Sequence, residues 1–371
     1  MPGSHSATPR NPKGPNSMSL KLSVLAGLLA VVVVGAFGYR YVTAKKSPRS
    51  AIATSPSSTT SVSSNSAPVA STTSATCPLT DLPAPNGTVP QRPALAVKVG
   101  NDPAARPQSG LQEADIVYEV QVEGGITRYI AVFQCNNASA IGPVRSLRWT
   151  DWHVIEPLGK PIIAFAGGIN PDRYAVSQKP YLFDADFFRY INSYYRISTR
   201  AAPENLYTST KNLYALDPST TPPNRIFTFQ KSVPSGGTAV TNVYVPFSYA
   251  AQVNWTWSSQ KQLWLRSYGS QPDLSSSGAQ QNATNVVVQM VQTIPGPYVE
   301  TGTNVYGVHS ITIGTGPVMI FRNGREYTGY WSRPNYAEPT QYYLSSGTKI
   351  PLAPGRTWVE LVPNTVAVSV S

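Results

Sequence analysis

The chain has 371 residues, a formal net charge of +11, 34 prolines and 27 glycines, and only 13% of its residues are charged. This composition is typical of a strand-rich and loop-rich protein rather than a helical one. Residues 1–50 contain seven basic residues and no acidic one, which leaves 22 basic and 18 acidic residues in the rest of the chain. Because the excess charge flanks one apolar segment, nucleic acid is not expected as a partner.

That apolar segment covers residues 22–42 and is predicted to be a single transmembrane helix, with residues 1–21 as a cytoplasmic tail. Roughly 20 helical residues cross a hydrocarbon core of about 30 Å. Tyr39, Arg40 and Tyr41 at its far edge are typical of a membrane interface. A cleaved secretory signal is the alternative, since residues 42–44 fit a cleavage site, but the length of the apolar run favours an uncleaved anchor.

Residues 43–76 are predicted to be a disordered linker. More than half of residues 51–76 are Ser or Thr, and none of them is charged. Such a sequence cannot bury enough apolar surface to fold. A flexible coil of this kind spans roughly 28 Å, which suits a spacer that holds a folded body away from a membrane.

The only two cysteines, Cys77 and Cys135, both lie after this linker. An even and sparse count is typical of one disulfide in an oxidising compartment. Such a bridge would tie the start of the folded region to the end of a predicted strand. Two unrelated buried thiols are the alternative.

Residues 77–232 predict an α+β or α/β domain, because strand patterns and helical patterns alternate there. Asn170 followed by Pro171 gives a helix cap and a proline in the first turn. Alternating or β-branched runs predict strands over residues 94–99, 115–122, 126–134 and 161–168. Helices are predicted over residues 146–158, 170–178 and 209–216.

Residues 238–364 predict an all-β domain, either a barrel or a sandwich. The region contains nine short β-rich runs separated by turn residues, and Asn323-Gly324 is a strong hairpin signal. The boundary between the two domains is predicted near residues 218–241, where Pro, Gly, Ser and Thr are frequent.

A group of charged residues occurs in the stretch ADIVYEVQVEGGITRYIAVFQ. A two-residue turn at Gly124-Gly125 would place Glu119, Glu123 and Arg128 on one face of a hairpin. The two glutamates could then act in acid–base catalysis, with Asp115 or Asp184 as a partner. Arg128, however, would keep both glutamates ionised, whereas an acid catalyst needs a raised pKa. An ion pair that closes a polar sheet face therefore stays an alternative to a binding or catalytic site.

Further arginines occur in two loops, ARPQSG and GPVRSLR, and the second loop opens a predicted helix. Arginines beside free backbone N–H groups are suited to bind an anion, although packing over Trp149 or Trp152 is an alternative. No zinc-type spacing, phosphate loop, dinucleotide motif or nucleophile elbow occurs, so no metal or cofactor is expected. The predicted ligand-binding residues are Arg106, Glu119, Glu123, Arg128, Arg145 and Arg148.

The motifs ARPQSGL, ADIVYE, EGGITR and GPVRS follow one another between residues 105 and 146. In order and spacing they resemble the YerB-like family, a two-domain family of bacterial envelope proteins of unknown function. The resemblance continues into the C-terminal part through FRNGREYTGYW and PLAPGRTWVELVP. Two departures stand out: Glu204 occupies a position where the family pattern has histidine, and the lipobox is replaced by the apolar segment. The resemblance implies an extracytoplasmic location and no particular reaction.

The sequence therefore predicts a single-pass membrane protein with two extracytoplasmic domains. Its expected function is to bind a cell-wall polymer or an envelope protein. An enzyme that cleaves or transfers wall glycan through carboxylates is one alternative, and a structural scaffold of an envelope complex is another.

Overall fold

The computed structural model describes residues 75–300 and 303–371. The predicted tail, the predicted anchor and nearly all of the predicted linker lie outside these residues. Within the described ranges, no helix combines the length and the apolar character that a bilayer-spanning segment needs. The described residues belong to one compact unit.

The N-terminal half contains short helices and mostly buried strands, as its alternating patterns predict. The three helices are α1 (Trp149–Ile155), α2 (Asn170–Ser177) and α3 (Thr210–Tyr214). The seven strands are β1 (Leu95–Gly100), β2 (Ile116–Gln121), β3 (Thr127–Phe133), β4 (Ile162–Phe165), β5 (Phe183–Asp186), β6 (Tyr195–Arg196) and β7 (Leu206–Tyr207).

The C-terminal half is β-rich, and its strands follow one another mainly as antiparallel hairpins. They are β8 (Thr238–Ala239), β9 (Asn242–Ser248), β10 (Ala251–Ser258), β11 (Leu263–Tyr268), β12 (Gln271–Pro272), β13 (Asn282–Ala283), β14 (Asn285–Val299), β15 (Tyr306–Ile311), β16 (Gly314–Arg322), β17 (Arg325–Arg333), β18 (Gln341–Leu344), β19 (Thr357–Pro363) and β20 (Ser369–Val370).

Strands from both halves form one 12-stranded sheet, in the order β18-β17-β16-β14-β19-β2-β3-β1-β4-β5, with β15 beside β14 and β8 beside β17. The halves join where β19 pairs in parallel with β2. Strand β19 and the first seven residues of β14 are fully buried. Strands that are buried on both faces need cover on two sides. The expectation of a mostly-β C-terminal region is confirmed, but its strands do not form a separate barrel or sandwich, because several of them complete a sheet shared with the N-terminal half.

The large sheet lies between two covering layers. One face packs against a six-stranded sheet of order β12-β11-β10-β9-β20, with β13 beside β11, and buries Val117, Trp255 and Trp358. The other face packs against α1, α2 and the segment around Phe227, and buries Ile130 and Trp152. An α+β fold with few helices is confirmed, with strands in the central and the second layer.

The hairpin formed by β2 and β3 differs from its prediction. Its turn contains three residues, Glu123–Gly125, with φ values of 69° and 72° at the two glycines. Consequently Arg128 lies opposite Val120, and Glu119 lies opposite Tyr129. Because neighbouring strand residues face opposite sides, a shift of one residue moves Arg128 to the face opposite Glu119. The predicted grouping of these two residues and Glu123 on one face is wrong.

The disulfide between Cys77 and Cys135 is confirmed, with a Cα–Cα distance of 6.0 Å. Cys135 follows β3, whose last residue, Phe133, pairs with Leu95 at the beginning of β1. The bridge therefore ties the first described residues to the sheet at the amino end of β1.

Candidate functional site

Two predicted binding residues lie where the two sheets meet: Glu119 is fully buried and Arg106 is half-buried. Arg266 Nη2 donates to Glu119 Oε2 at 2.6 Å, and both side chains are fully buried. Arg106 lies 3.6 Å from the centre of the Tyr268 ring and donates to Asn101. These contacts hold the small sheet against the large one, and they leave Glu119 without access to a substrate.

A second carboxyl group, that of Glu360, lies opposite Glu119 in the same interior. Trp255 Nε1 donates to Glu360 Oε1 at 2.8 Å. Burial, together with the charge of Glu119, raises the pKa of Glu360 well above its usual range. The raised pKa favours the neutral form of Glu360 beside the ion pair that Glu119 forms with Arg266.

Asp115 and Asp184 hold local backbone structure. Asp115 accepts hydrogen bonds from the backbone N–H groups of Gln134 and Cys135, and burial raises its pKa to about 6. Asp184 lies on β5 at 3.4 Å from Arg189. The four carboxylates proposed for catalysis thus occupy four places: the beginning of β2, the space between the sheets, the hairpin turn and an edge strand. The structure does not bring them into one cleft.

Arg128, Arg145 and Arg148 do come together, on the helix-covered face at the carboxyl ends of β1 and β4. Gly100 ends β1 and lies opposite Arg128. A Cβ atom on Gly100 would lie 2.8 Å from Arg145 Cγ, so the stem of Arg145 packs over this position beside Arg128. Only a glycine leaves room for this packing.

The GPVRSLR segment places these arginines because it lies between β1 and β4. The N–H of Gly100 donates to Pro143 O, and the N–H of Arg145 donates to Lys98 O. On the other side, the N–H of Ala166 donates to Arg145 O. The carboxyl ends of parallel strands are the usual position for ligand sites in α/β sheets, and this segment brings side chains to that edge.

Arg148 and Lys98 are well satisfied by carboxylates and have structural roles. Arg148 Nε donates to both oxygens of Glu123, at 2.6 and 2.8 Å, and its Nη2 lies 2.7 Å from Glu300. Lys98 Nζ donates to Asp151 at 2.5 Å, and burial lowers the pKa of Lys98 to about 8. Glu123 is thus the anchor of Arg148 in this structure.

Arg128 and Arg145 are incompletely satisfied. Arg128 is 6% exposed and donates to Ser146 O at 3.1 Å, but its Nε has no partner and it forms no salt bridge within residues 75–300 and 303–371. Burial and the charges of Arg148 and Arg145 lower the pKa of Arg128 to about 9. Arg145 Nη1 lies 3.1 Å from Glu204 Oε1, while Arg145 Nε has no partner. Buried polar groups without partners are uncommon, and each one calls for an explanation.

Beside these arginines is a pocket of about 180 Å³, here called the carboxyl-end pocket. Phe188 is 66% exposed on its wall, and exposed Arg196 lies 5.7 Å from the ring of Phe187. The lining residues are Val144, Arg145, Ser146, Ala166, Phe187, Phe188, Arg196, Pro203 and Leu206. The pocket therefore combines guanidinium groups with aromatic faces.

The aromatic and basic residues of this wall were not predicted to belong to a site. Phe187 and Phe188 follow β5 in the run FDADFFR, and Arg196 follows a short 3-10 turn. Adjacent aromatic residues next to an arginine, at the end of a strand, are a signal that could have been noticed. Their proximity to Arg145 depends on the parallel pairing of β4 with β5, which the sequence did not predict.

This fold and these motifs define a two-domain family of unknown function, and the chain belongs to it. The model of the N-terminal domain of the family described as protein of unknown function (DUF3048) matches residues 79–221, and the model of its C-terminal domain matches residues 243–359. The assignment agrees with the resemblance to YerB-like proteins.

A curated relative is the Bacillus subtilis (strain 168) protein named "Putative lipoprotein YerB". It is 28% identical over 309 residues, which cover 79% of this chain and 88% of the relative. The crystal structure of YerB from Bacillus subtilis matches with a TM-score of 0.65 and 23% identity, covering 80% of this chain and 99% of that one. The structural likeness shows a shared fold.

Proposed function

We propose that this protein is held at the bacterial envelope and binds an anionic sugar polymer of the cell wall in the carboxyl-end pocket. The observation that supports this proposal is the pairing of Arg145 and Arg196 with the exposed face of Phe188 in one pocket. Aromatic faces cover the C–H surfaces of sugars, and arginine binds carboxylate or phosphate through two parallel hydrogen bonds. A charged glycan offers both kinds of group.

Further exposed apolar side chains occur in the part of the chain from α2 to β6. Tyr174 on α2 is 70% exposed, Ile191 61% and Tyr195 39%. Arg173 lies 5.2 Å from the ring of Phe188. An exposed patch of aromatic and basic groups next to a pocket can contact several units of a polymer, whereas the small pocket volume suits one acidic group or one sugar.

The position of the disulfide supports an envelope role. The folded body begins at the amino end of β1, where Cys77 is bonded to Cys135, and the pocket lies at the carboxyl end of β1. Six strand residues at about 3.3 Å each separate these ends by roughly 20 Å. A tether that joins the body at the disulfide end leaves the pocket free. The predicted anchor over residues 22–42 and the name of the lipoprotein relative support a membrane attachment.

Carboxylate-based cleavage has less support. A pair of catalytic carboxyl groups must share a cleft, at about 5–10 Å from each other. Glu119 is fully buried in an ion pair, and Glu123 accepts two hydrogen bonds from Arg148. Binding therefore fits the geometry of these residues better than catalysis.

Retention on purified wall polymer tests the proposal. The fragment 75–371 is suitable because it contains both hydrophobic cores and both matched family domains. We expect the Phe188→Ala/Arg196→Gln variant to lose at least about tenfold in retention, because stacking and charge are each worth on the order of 1 kcal/mol or more.

The matched control is Tyr249→Ala, which removes an aromatic side chain that is 97% exposed outside the pocket. This variant should be retained on the wall polymer as strongly as the unmodified fragment. Equal retention by the pocket variant and the control would contradict the proposal. Release of soluble sugar by the unmodified fragment would instead support the enzymatic alternative.

A further inference from the structure

Glu204 lies where an acidic ligand would reach Arg145. It ends a turn in which its N–H donates to Ala201 O, and the preceding residue, Pro203, lines the carboxyl-end pocket. The side chain of Glu204 is 10% exposed and that of Arg145 18%. The chain itself thus places a carboxylate against the arginine of the pocket.

The ion pair between Glu204 and Arg145 has fewer hydrogen bonds than the neighbouring ion pair between Glu123 and Arg148. Arg145 Nη1 and Glu204 Oε1 are 3.1 Å apart, and both Arg145 Nε and Glu204 Oε2 are buried without a hydrogen-bond partner. By contrast, Arg148 Nε donates to both oxygens of Glu123. A single contact that leaves two buried atoms unsatisfied holds its partners weakly, since a buried polar atom without a partner has lost its hydrogen bonds to water and gained none in return.

Several arginines surround Glu204, and one of them, Arg128, is not paired with a carboxylate among the described residues. Arg128 is buried and forms no salt bridge with any residue that the structure describes, and its charge acts on Glu204 together with those of Arg145 and Arg200. Even so, the pKa of Glu204 is raised, because burial, together with the nearby negative charge of Asp102, outweighs the attraction of the arginines. The ionised carboxylate is therefore only moderately stabilised in this position.

We propose that Glu204 occupies the place of the ligand's acidic group and is displaced from Arg145 when the ligand binds. This inference rests on the proposed function. The ligand group is an oxyanion, a carboxylate or a phosphate, whose oxygen atoms accept from the guanidinium group of Arg145, the pocket-lining arginine whose Nε has no partner among the described residues. The loop that ends at Glu204 then moves out of the pocket, and binding exchanges a poorly bonded carboxylate for a better bonded one.

Titration of fragment 75–371 with two probes, inorganic phosphate and glucuronate, tests the displacement. Glu204→Gln removes the competing charge and keeps the shape of the side chain, so we expect it to bind at least one probe about tenfold more tightly than the unmodified fragment. The control is Glu113→Gln, an exposed residue near the opposite end of the sheet, which should leave the affinity unchanged. The probe whose affinity increases more in this variant shows whether the ligand group is a phosphate or a carboxylate.

The Arg145→Gln/Glu204→Gln double variant separates displacement from a general change in charge. With Arg145 absent, the gain from Glu204→Gln should disappear, while thermal unfolding shows that the variants remain folded. If Glu204→Gln binds no more tightly than the unmodified fragment, the displacement is overturned. Retention of wall polymer by the unmodified fragment would then still support the proposed function, whereas absence of both anion binding and polymer retention would overturn both.

Discussion

Arg266 and Arg128 are both buried arginines, yet they differ in the number of acceptors around them. Arg266 donates to Glu119 and to Asp273, and its guanidinium lies 4.5 Å from the centre of the Tyr268 ring. Arg128 has one backbone acceptor, Ser146 O. Burial of a charge is tolerated when carboxylates and hydrogen bonds replace water. Arg266 meets this condition through two carboxylates and has a structural role, although its Nε, like that of Arg128, has no partner among the described residues. Arg128 differs because no carboxylate among these residues forms a salt bridge with it.

Replacement of Arg266 tests its structural role. Arg266→Met leaves the carboxylates of Glu119 and Asp273 buried without their cation, and we expect the free energy of unfolding to fall by about 3–5 kcal/mol. Urea unfolding followed by tryptophan fluorescence measures the change. The same substitution at exposed Arg196 is the control, with an expected change within about 0.5 kcal/mol. Similar urea midpoints for both variants would show that the ion pairs of Arg266 with Glu119 and Asp273 contribute little to stability.

We expect the stability of the fold to depend on pH because the pKa of buried Asp172 is raised. Burial, with the nearby charge of Asp151, raises its pKa to about 7 in the folded protein, compared with about 3.9 in an unfolded chain. Since the folded state holds the proton more tightly, this contribution to stability is complete below about pH 4 and is lost as the pH rises to 7. At higher pH the folded state has to hold a poorly solvated carboxylate.

Asp172→Asn removes this titration. Relative to the variant, the unmodified fragment should lose on the order of 2 kcal/mol of unfolding free energy between pH 4 and pH 7.5. Urea unfolding of both proteins at several pH values measures this difference, in which the contribution of Asp115 cancels. If the unfolding free energies of the two proteins change with pH in parallel, the raised pKa of Asp172 is contradicted.

At the scale of elements, the disulfide fixes the beginning of the folded body. It joins residues 58 positions apart. In the chain-entropy account, the closure of such a loop in the unfolded state stabilises the fold by about 4 kcal/mol. The Cys77→Ser/Cys135→Ser variant should therefore unfold at a clearly lower urea concentration. Reductant should destabilise the unmodified fragment and leave this variant unchanged, and an equal response of both would argue against the bridge in solution.

The elements themselves were largely predictable, because hydrophobic periodicity and turn residues act locally. The predicted strand over residues 94–99 corresponds to β1, and the predicted helix over residues 170–178 corresponds to α2. The turn at Gly124-Gly125 shows the limit of this approach. A two-residue and a three-residue turn have the same sequence signal here, but they place Arg128 on opposite faces. An error of one residue at a turn thus changed the predicted site.

At the scale of the whole molecule, the shared sheet predicts cooperative unfolding. Strand β19 lies between β14 and β2, and its residues Trp358 and Val359 are buried on opposite faces. Calorimetry of fragment 75–371 should give one transition with equal calorimetric and van't Hoff enthalpies. Two transitions would indicate that the halves unfold separately.

A fragment that contains only residues 238–371 tests whether the C-terminal half folds without the N-terminal half. Without β2 it exposes the edge of β19 and the apolar faces that both cores cover, so we expect little protection from proteolysis and no cooperative transition. The matched control is the intact fragment 75–371 under the same protease. A protected C-terminal fragment would show that the second half folds by itself.

The sequence by itself determined the family and most of the strands, because these depend on motifs and local periodicity. It also favoured a disulfide and an α+β or α/β class without settling either. Only the tertiary structure decided which charged residues meet. Glu119 and Arg128 are nine positions apart but lie on opposite faces of the sheet, whereas Glu204 and Arg145, 59 positions apart, are in contact. The physical reason is that strand register and parallel pairing of distant segments set the position of a side chain, and neither is encoded in local pattern.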